Sequence, residues 1–209
     1  RNGWETIDTF YSIDRLSLTG SDQSNTISAS DFNDSADLPA FDGQFIVDGG
    51  LGADKITGGS YRNWLIGGGV APAGTEIDGD DEDVLTGVNG ALDVFDLRTS
   101  DGLSDAYGLS DDSGVAEIRG FNAFDGDAIV LAGQRSAYKI ELEQEDDDDD
   151  GAAQLITKIE IESIGTGEDV AEVYATGLAS NTIVDDLNMY FGIDTSVSQT
   201  LINGQQLFF

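Results

Sequence analysis

The nine residues GGLGADKIT, Gly49 to Thr57, constrain this chain more than any other stretch. They fit the repeat G-G-x-G-x-D-x-U-x, in which six residues of turn precede a three-residue strand and U is a large apolar residue. Glycine at the first, second and fourth places lets the turn take backbone conformations that side chains forbid. Such a turn directs carbonyl oxygens inward, those of Gly49, Leu51 and Ala53, and Asp54 at the sixth place adds a carboxylate. Hard calcium takes roughly 6–8 oxygen ligands in flexible geometry, so this turn is a candidate calcium site. Lys55-Ile56-Thr57 is the expected strand, with Ile56 pointing into a core.

Glycine–aspartate turns are common, so the neighbours decide. Gly58 to Ile66 (GGSYRNWLI) keeps the glycine pair, puts Asn63 in the aspartate's place and Leu65 in the inward one. An insertion, Gly67 to Ile77, carries Pro72. The frame resumes at Asp78 to Thr86 (DGDDEDVLT) with Asp83 and Leu85. Gly87 to Phe95 (GVNGALDVF) has one extra turn residue, which aligns Asp93 and Phe95 if Leu92 is a bulge. Upstream, Leu18 to Ser28 is a more degenerate coil with Gly20, Asn25 and Ile27. Four or five coils at a spacing near nine form a repeat, and at least about three units are needed for a stacked solenoid to hold.

With these residues the chain resembles the RTX, or haemolysin-type, calcium-binding family, over about Leu18 to Leu131. Glu117 to Gly133 (EIRGFNAFDGDAIVLAG) looks like the strand pair that closes many secreted rolls of that family, and the strands after it look like the β-meander that often follows in bacterial and cyanobacterial members. The resemblance implies a right-handed parallel β-roll, calcium held between adjacent turns, and type I secretion through an uncleaved C-terminal signal, which the apolar end Leu207-Phe208-Phe209 resembles. Only one nonapeptide is complete, so few calcium ions are expected: Asp54 first, then Asp83 and Asp93, with Asn63 and Asn25 as weaker ligands.

Composition bounds the reading independently. The 209 residues suffice for one domain with a substantial core or two small ones. Nine basic residues against 41 acidic ones give a formal charge of −32, a poor match to nucleic acid or anionic membrane. Such charge with modest hydrophobicity borders on the composition of disordered chains. Bound calcium is one remedy, since each ion cancels two charges and its binding free energy becomes folding free energy. Acids that simply solvate the surface are the other. With no cysteine and no histidine, thiolate and imidazole zinc sites and Ser-His-Asp or Cys-His nucleophile systems are excluded. Absent disulfides suit a secreted protein stapled by metal. No apolar run approaches ~20 residues, so no membrane helix is expected, and no signal peptide is read at the N-terminus. A chain that begins at Arg1 is expected to be a processed product or a fragment.

Elsewhere, Trp4 to Leu18 reads as short strands with bends, Ser30 to Gly43 as a loop, and Phe45 to Val47 as a strand entering the repeat. Asp96 to Ser113 reads as a long excursion with Leu97, Leu103, Tyr107 and Leu109 turned inward; its Asp101, Asp105, Asp111 and Asp112 lack EF-hand spacing. Tyr138 to Glu143, Gln154 to Glu162 and Asp169 to Thr176 alternate apolar and polar residues, a three-stranded antiparallel meander, with Asp146 to Asp150 as a charged hairpin tip or a loose cation sponge. Thr182 to Gly192 is the one helix expected, capped by Thr182 and spaced on Ile183, Leu187 and Phe191. Asn203-Gly204 predicts a hairpin.

The expected fold is all-β: a parallel β-roll or β-solenoid with RTX-like turns over residues 1–133, then an antiparallel β-meander, one short helix and a hairpin over 134–209. The expected function is a secreted, non-catalytic, calcium-binding structural building block, extracellular or at the cell surface, that assembles with itself into a homo-oligomer, filament or layer, with no nucleic-acid partner and no membrane insertion. The alternative is a C-terminal calcium-folding and type I secretion module of a larger enzyme or adhesin. The outward residues Lys55, Thr57, Trp64, Ile66, Val84, Thr86 and Val94 are too mixed for a carbohydrate or ice-binding ladder.

Overall fold

The computed structural model describes residues 15–30, 44–68, 82–99, 104–108, 114–147, 154–175, 189–191, 199–202 and 205–208, with backbone alone at 144–147, 154–157 and from 199 onward. One local rule recurs along its first part: an Asp or Asn, a variable residue, then a large apolar residue that turns inward. It is met at Asn25-Thr26-Ile27, Asp54-Lys55-Ile56, Asn63-Trp64-Leu65, Asp83-Val84-Leu85, Asp93-Val94-Phe95 and Asp127-Ala128-Ile129. Since strand side chains alternate between faces, each repetition sends one apolar residue to the same side.

The strands are β1 (Arg15–Ser21), β2 (Thr26–Ser28), β3 (Gln44–Gly50), β4 (Lys55–Thr57), β5 (Arg62–Gly68), β6 (Asp83–Thr86), β7 (Asp93–Asp96), β8 (Ala116–Phe121) and β9 (Ala128–Leu131). They are dealt alternately to two sheets. Odd strands β1, β3, β5, β7 and β9 form one, and even strands β2, β4, β6 and β8 the other, each parallel to its neighbour. The closing segment is therefore not a pair in the hydrogen-bonded sense: β8 and β9 lie in different sheets.

Register lines up the inward residues. Across the first sheet run Leu18, Val47, Leu65, Phe95 and Ile129; across the second run Ile27, Ile56, Leu85 and Ile118. Val47, Leu65, Phe95, Ile129, Leu85 and Ile118 are fully buried in one core, and burial of each such side chain contributes roughly 1.5–3 kcal/mol.

The meander extends the second sheet. β10 (Tyr138–Asp147), β11 (Gln154–Ser163) and β12 (Asp169–Ala175) pair antiparallel as expected, and β12 then pairs parallel with β8. Val173, Ile159 and Leu142 continue the apolar row from Ile118 without a break, so the meander shares the repeat's core. A 3₁₀ turn, Arg135–Ala137, leads into β10.

Three expectations change. The helix expected over Thr182 to Gly192 is not helical at its end. Met189–Phe191 is a strand, β13, parallel to β9. Its side chains alternate: Met189 and Phe191 pack on the main core and Tyr190 on the opposite side. Phe191 also meets Tyr138, ring centres 5.7 Å apart. A period of two won over the i, i+4, i+8 spacing because both faces of this sheet offer apolar surface. Trp64 and Val94, expected to face outward, are buried; with Leu92, Ala128 and Val130 they form a second apolar cluster behind the first sheet. The glycine pair of the nonapeptide is no part of a six-residue turn, for Gly50 still pairs with Gly68 across β3 and β5.

β14 (Gln199–Ile202) and β15 (Gln205–Phe208) pair antiparallel around Asn203-Gly204, as that dipeptide predicts. Expectations for 4–14, 31–43, most of the Pro72 insertion, Leu103, Leu109 and 182–188 fall outside the described residues.

Candidate functional site

The sixth-place residues are sorted by the alternation of strands into two stacks, one at the entrance to each sheet. Asn25, Asp54 and Asp83 stand at successive entrances to the second sheet; Asn63, Asp93 and Asp127 stand at those to the first. Asp54, Asp93, Asp83, Asp127 and Asn63 are almost wholly buried.

Each stack is stitched by hydrogen bonds between successive members, three of them from a backbone N–H and one from the Asn63 side-chain amide. The Asn25 N–H donates to Asp54 Oδ1 at 2.6 Å, and the Asp54 N–H to Asp83 Oδ1 at 2.7 Å. In the other stack Asn63 Nδ2 donates to Asp93 Oδ1 at 2.5 Å and the Asp93 N–H to Asp127 Oδ1 at 2.9 Å. The same side chains fold back on their own turns. Asn25 Oδ1 accepts from the Ser21 N–H (2.7 Å), Asn63 Oδ1 from Gly59 (2.9 Å), Asp93 Oδ2 from Val88 (2.6 Å) and Asp127 Oδ2 from Asn122 (2.8 Å). The turn before Asp93 is one residue longer, so its carboxylate reaches five residues back where Asn63 reaches four. Such side chains satisfy turn donors that the sheets leave over.

This explains the glycines. Gly50 and Gly52 have φ of 98° and 94°, the left-handed region that disfavours side chains. Gly49 is needed for room: a Cβ there would lie 2.2 Å from Asp54 Oδ2. The same clash meets a Cβ on Gly20 (Asn25 Oδ1, 2.3 Å), Gly58 (Asn63 Nδ2, 2.7 Å) and Gly87 (Asp93 Oδ2, 2.5 Å). The side chains of Asn25, Asp54, Asn63 and Asp93 thus lie over the bare backbone of the glycine five or six residues before them.

Two residues of these stacks were missed as ligands or partners. Asp127 falls within the segment expected only as a closing strand pair, although Asp127-Ala128-Ile129 repeats the local rule. Tyr107 is buried and donates its hydroxyl to Asp83 Oδ2 at 2.5 Å; burial and then the Asp83 charge push that hydroxyl well above its usual range. No spacing in the sequence signals this contact. Asp105, considered for a separate cation cluster, accepts instead from the Ala132 N–H (2.8 Å) and the Tyr138 hydroxyl (2.5 Å); Asp101, Asp111 and Asp112 lie outside the described residues.

The donors in both stacks are oxygens, which suits a hard cation such as calcium and offers nothing to a soft one. Asp54 and Asp83 stand at the heads of the paired strands β4 and β6; Gly49 lies in β3, and Leu51 and Ala53 in the bend that leads into Asp54. Among the described residues no three acidic groups converge as a ready-made metal cage. An ion here would therefore have to draw on single carboxylates from successive strands and on backbone carbonyls.

Burial, with the nearby charges of Asp127 and Asp125, raises Asp93 from 3.8 to about 7, and burial raises Asp127 to about 6. A folded value above the unfolded one means the native state holds these protons more tightly. The penalty for ionising the pair is absent below about 3.8 and grows as pH rises through 6 and 7. In chelator, with sucrose added to support the fold, the melting temperature is expected to drop by several degrees from pH 5 to pH 7.5 and then level off. Saturating calcium should flatten that slope, because the ion competes with the protons. Thermal melts across that window check it, and a rise in chelator contradicts the buried-acid account.

Comparison of the chain with family models, with curated proteins and with solved structures finds no match in any of the three. Among the described residues no helix is long and apolar enough to cross a membrane.

Proposed function

We propose that this chain is a calcium-dependent β-roll of the RTX type, a secreted and non-catalytic building block that works outside the cell or at its surface and assembles with itself. The observation that carries the reading is the stack Asn25–Asp54–Asp83: a half-buried amide and two buried acids recur at an even interval, at the entrance to successive strands of one sheet. Calcium would be held there by Asp54 and Asp83 with carbonyls of Gly49, Leu51 and Ala53, and in the second stack by Asp93 with Asn63. Buried like charges spaced by one coil are costly unless a proton or a cation offsets them, and a formal charge of −32 makes the cation the more valuable of the two at neutral pH.

Assembly is supported by the sheet ends. Among the described residues β1 and β2 end the two sheets on the same side, and β1 alternates exposed and half-buried residues along its length. A terminal parallel strand presents backbone donors and acceptors to another chain, and repeated head-to-tail contacts of that kind give filaments or layers. Light scattering after size exclusion is expected to show calcium-dependent oligomers that revert in chelator. A monodisperse monomer in both buffers removes the assembly half of the proposal and leaves the calcium half standing.

A further inference from the structure

Cations are scarce in this chain, nine against 41 acids, and most of those described have partners. Arg98 pairs with Asp96, Arg119 with Glu117, Lys139 with Glu141 and Glu162, and Lys158 with Glu172. Arg135 donates to the Tyr138 carbonyl at 2.7 Å. Among the described residues Arg15 and Arg62 are exposed and reach no acid. Where acids are in such excess, a cation without one is the exception.

Register brings these two arginines to one place. Arg15 opens β1, Arg62 opens β5, and both pair with Gln44 at the start of β3. Residues opposite one another in neighbouring strands share a face, with strands about 4.8 Å apart. The three side chains therefore form one row on the outer face of the first sheet, the face that carries Ile46 and Trp64 two residues on. Gln44 is only 8% exposed, and its Nε2 is buried without a hydrogen-bond acceptor. A buried donor in that state is destabilising until an acceptor arrives. Two guanidinium forks flanking an amide donor suit a carboxylate, whose two oxygens accept and never donate.

We infer that Arg15, Gln44 and Arg62 form a carboxylate-docking site for a second copy of this chain, and that its occupant is the acidic run Asp146 to Asp150. The inference rests on the self-assembly proposed above and gives it a specific contact. Position argues for this occupant. Strands of the second sheet end on the rim where strands of the first begin, since β4 runs into β5 and β8 into β9 through short turns. β10 is antiparallel to β11, β11 to β12, and β12 parallel to β8. β10 thus runs in the sense of β8, and its last residue, Asp147, lies on the rim from which β1, β3 and β5 start. Beyond Lys158 the ladder of β11 continues with β10 alone, as far as Asp147 opposite Gln154, so the hairpin reaches past the sheet. Along the stack, β10 ends the second sheet opposite β2, and β1 ends the first sheet on the side of β2. Head-to-tail contact therefore brings the acidic run of one copy to the arginine row of the next.

A synthetic peptide of Glu143 to Gly151 (EQEDDDDDG), added to the calcium-loaded chain, tests this by NMR. The Gln44 side-chain amide and the Nε resonances of Arg15 and Arg62 should shift. Arg15→Gln/Arg62→Gln should weaken peptide binding at least about tenfold, the equivalent of one charge-assisted hydrogen bond, and the peptide with five asparagines should not bind. In size exclusion with light scattering, the double variant should stay monomeric where the unsubstituted chain assembles, whereas Arg119→Gln, which removes a charge from the other sheet, should assemble normally. A peptide that leaves Gln44 unshifted, or binds the double variant equally well, overturns the site whether or not the chain assembles. A double variant that assembles as fully as the unsubstituted chain overturns the second copy as occupant. An unsubstituted chain that never assembles removes the self-assembly reading and that occupant with it, while the peptide still decides whether the row binds carboxylate.

Discussion

Asp96→Ala is expected to destabilise the fold by about 3–5 kcal/mol, the range for breaking a buried ion pair from one side. Asp96 ends β7, and Arg98 two residues on is among the largest fully buried side chains. The guanidinium is forked on the carboxylate, Nε to Oδ1 at 2.8 Å and Nη2 to Oδ2 at 2.7 Å, and Trp64 Nε1 donates to Oδ2 at 3.1 Å. Truncation removes the carboxylate that compensates a buried cation and the acceptor that orients Trp64, the anchor of the second apolar cluster. Asp105, bridged to Arg98 across the excursion, has its carboxylate committed to Ala132 and Tyr138. The double variant Asp96→Ala/Arg98→Met should recover most of the loss, since well-packed apolar groups often replace a buried pair without penalty. Urea denaturation of both singles and the double gives the coupling. If Asp96→Ala costs under about 1 kcal/mol, or the double is no better than the single, the pair is not what secures this corner.

The pair also shows where sequence reasoning stops. Periodicity near nine put Ile56, Leu65, Leu85 and Phe95 in the core before any coordinates, because a strand's faces follow from alternation alone. Alternating apolar residues likewise marked the three strands of the meander, and Asn203-Gly204 marked the hairpin. Local rules of this kind need no knowledge of what lies across the molecule. Asp96, Arg98 and Trp64 are up to 34 residues apart in the chain, and nothing short-range says that the outer face of the first sheet is covered. Without that cover, Trp64 and Val94 read as surface. The same gap turned Met189 to Phe191 into helix: three residues fit either period, and the decision lay with β9 and with the Tyr138 ring. Of the candidate site, the sixth-place residues were legible, but their division into two stacks was not. That division depends on which sheet each strand enters, a property of the whole strand order.

Calcium is expected to raise the melting temperature, and most of that gain should pass through Asp54. At free calcium about 100 times the dissociation constant one site adds about 2.7 kcal/mol, against a total of roughly 5–15 kcal/mol for a folded domain. Two or three such sites would therefore be enough to decide whether so acidic a chain stays folded. Affinities near those of extracellular modules, about 10⁻⁴–10⁻³ M, put the titration in the millimolar range. Asp54→Ala is a blunt probe, because Asp54 Oδ1 also accepts the Asn25 N–H at 2.6 Å; leaving that donor unsatisfied costs about 1–3 kcal/mol with or without metal. Asp54→Asn keeps an oxygen for the N–H and removes the charge. It should melt close to the unsubstituted chain in chelator and well below it in calcium, while Glu168→Gln, half-buried between the β11–β12 turn and β12 and away from both stacks, should track the unsubstituted chain in both. Should Asp54→Asn gain as much from calcium as the unsubstituted chain does, Asp54 is a strut between coils and not a ligand. A chain whose melt ignores calcium altogether would mean that protons and backbone N–H groups alone hold the stacks together.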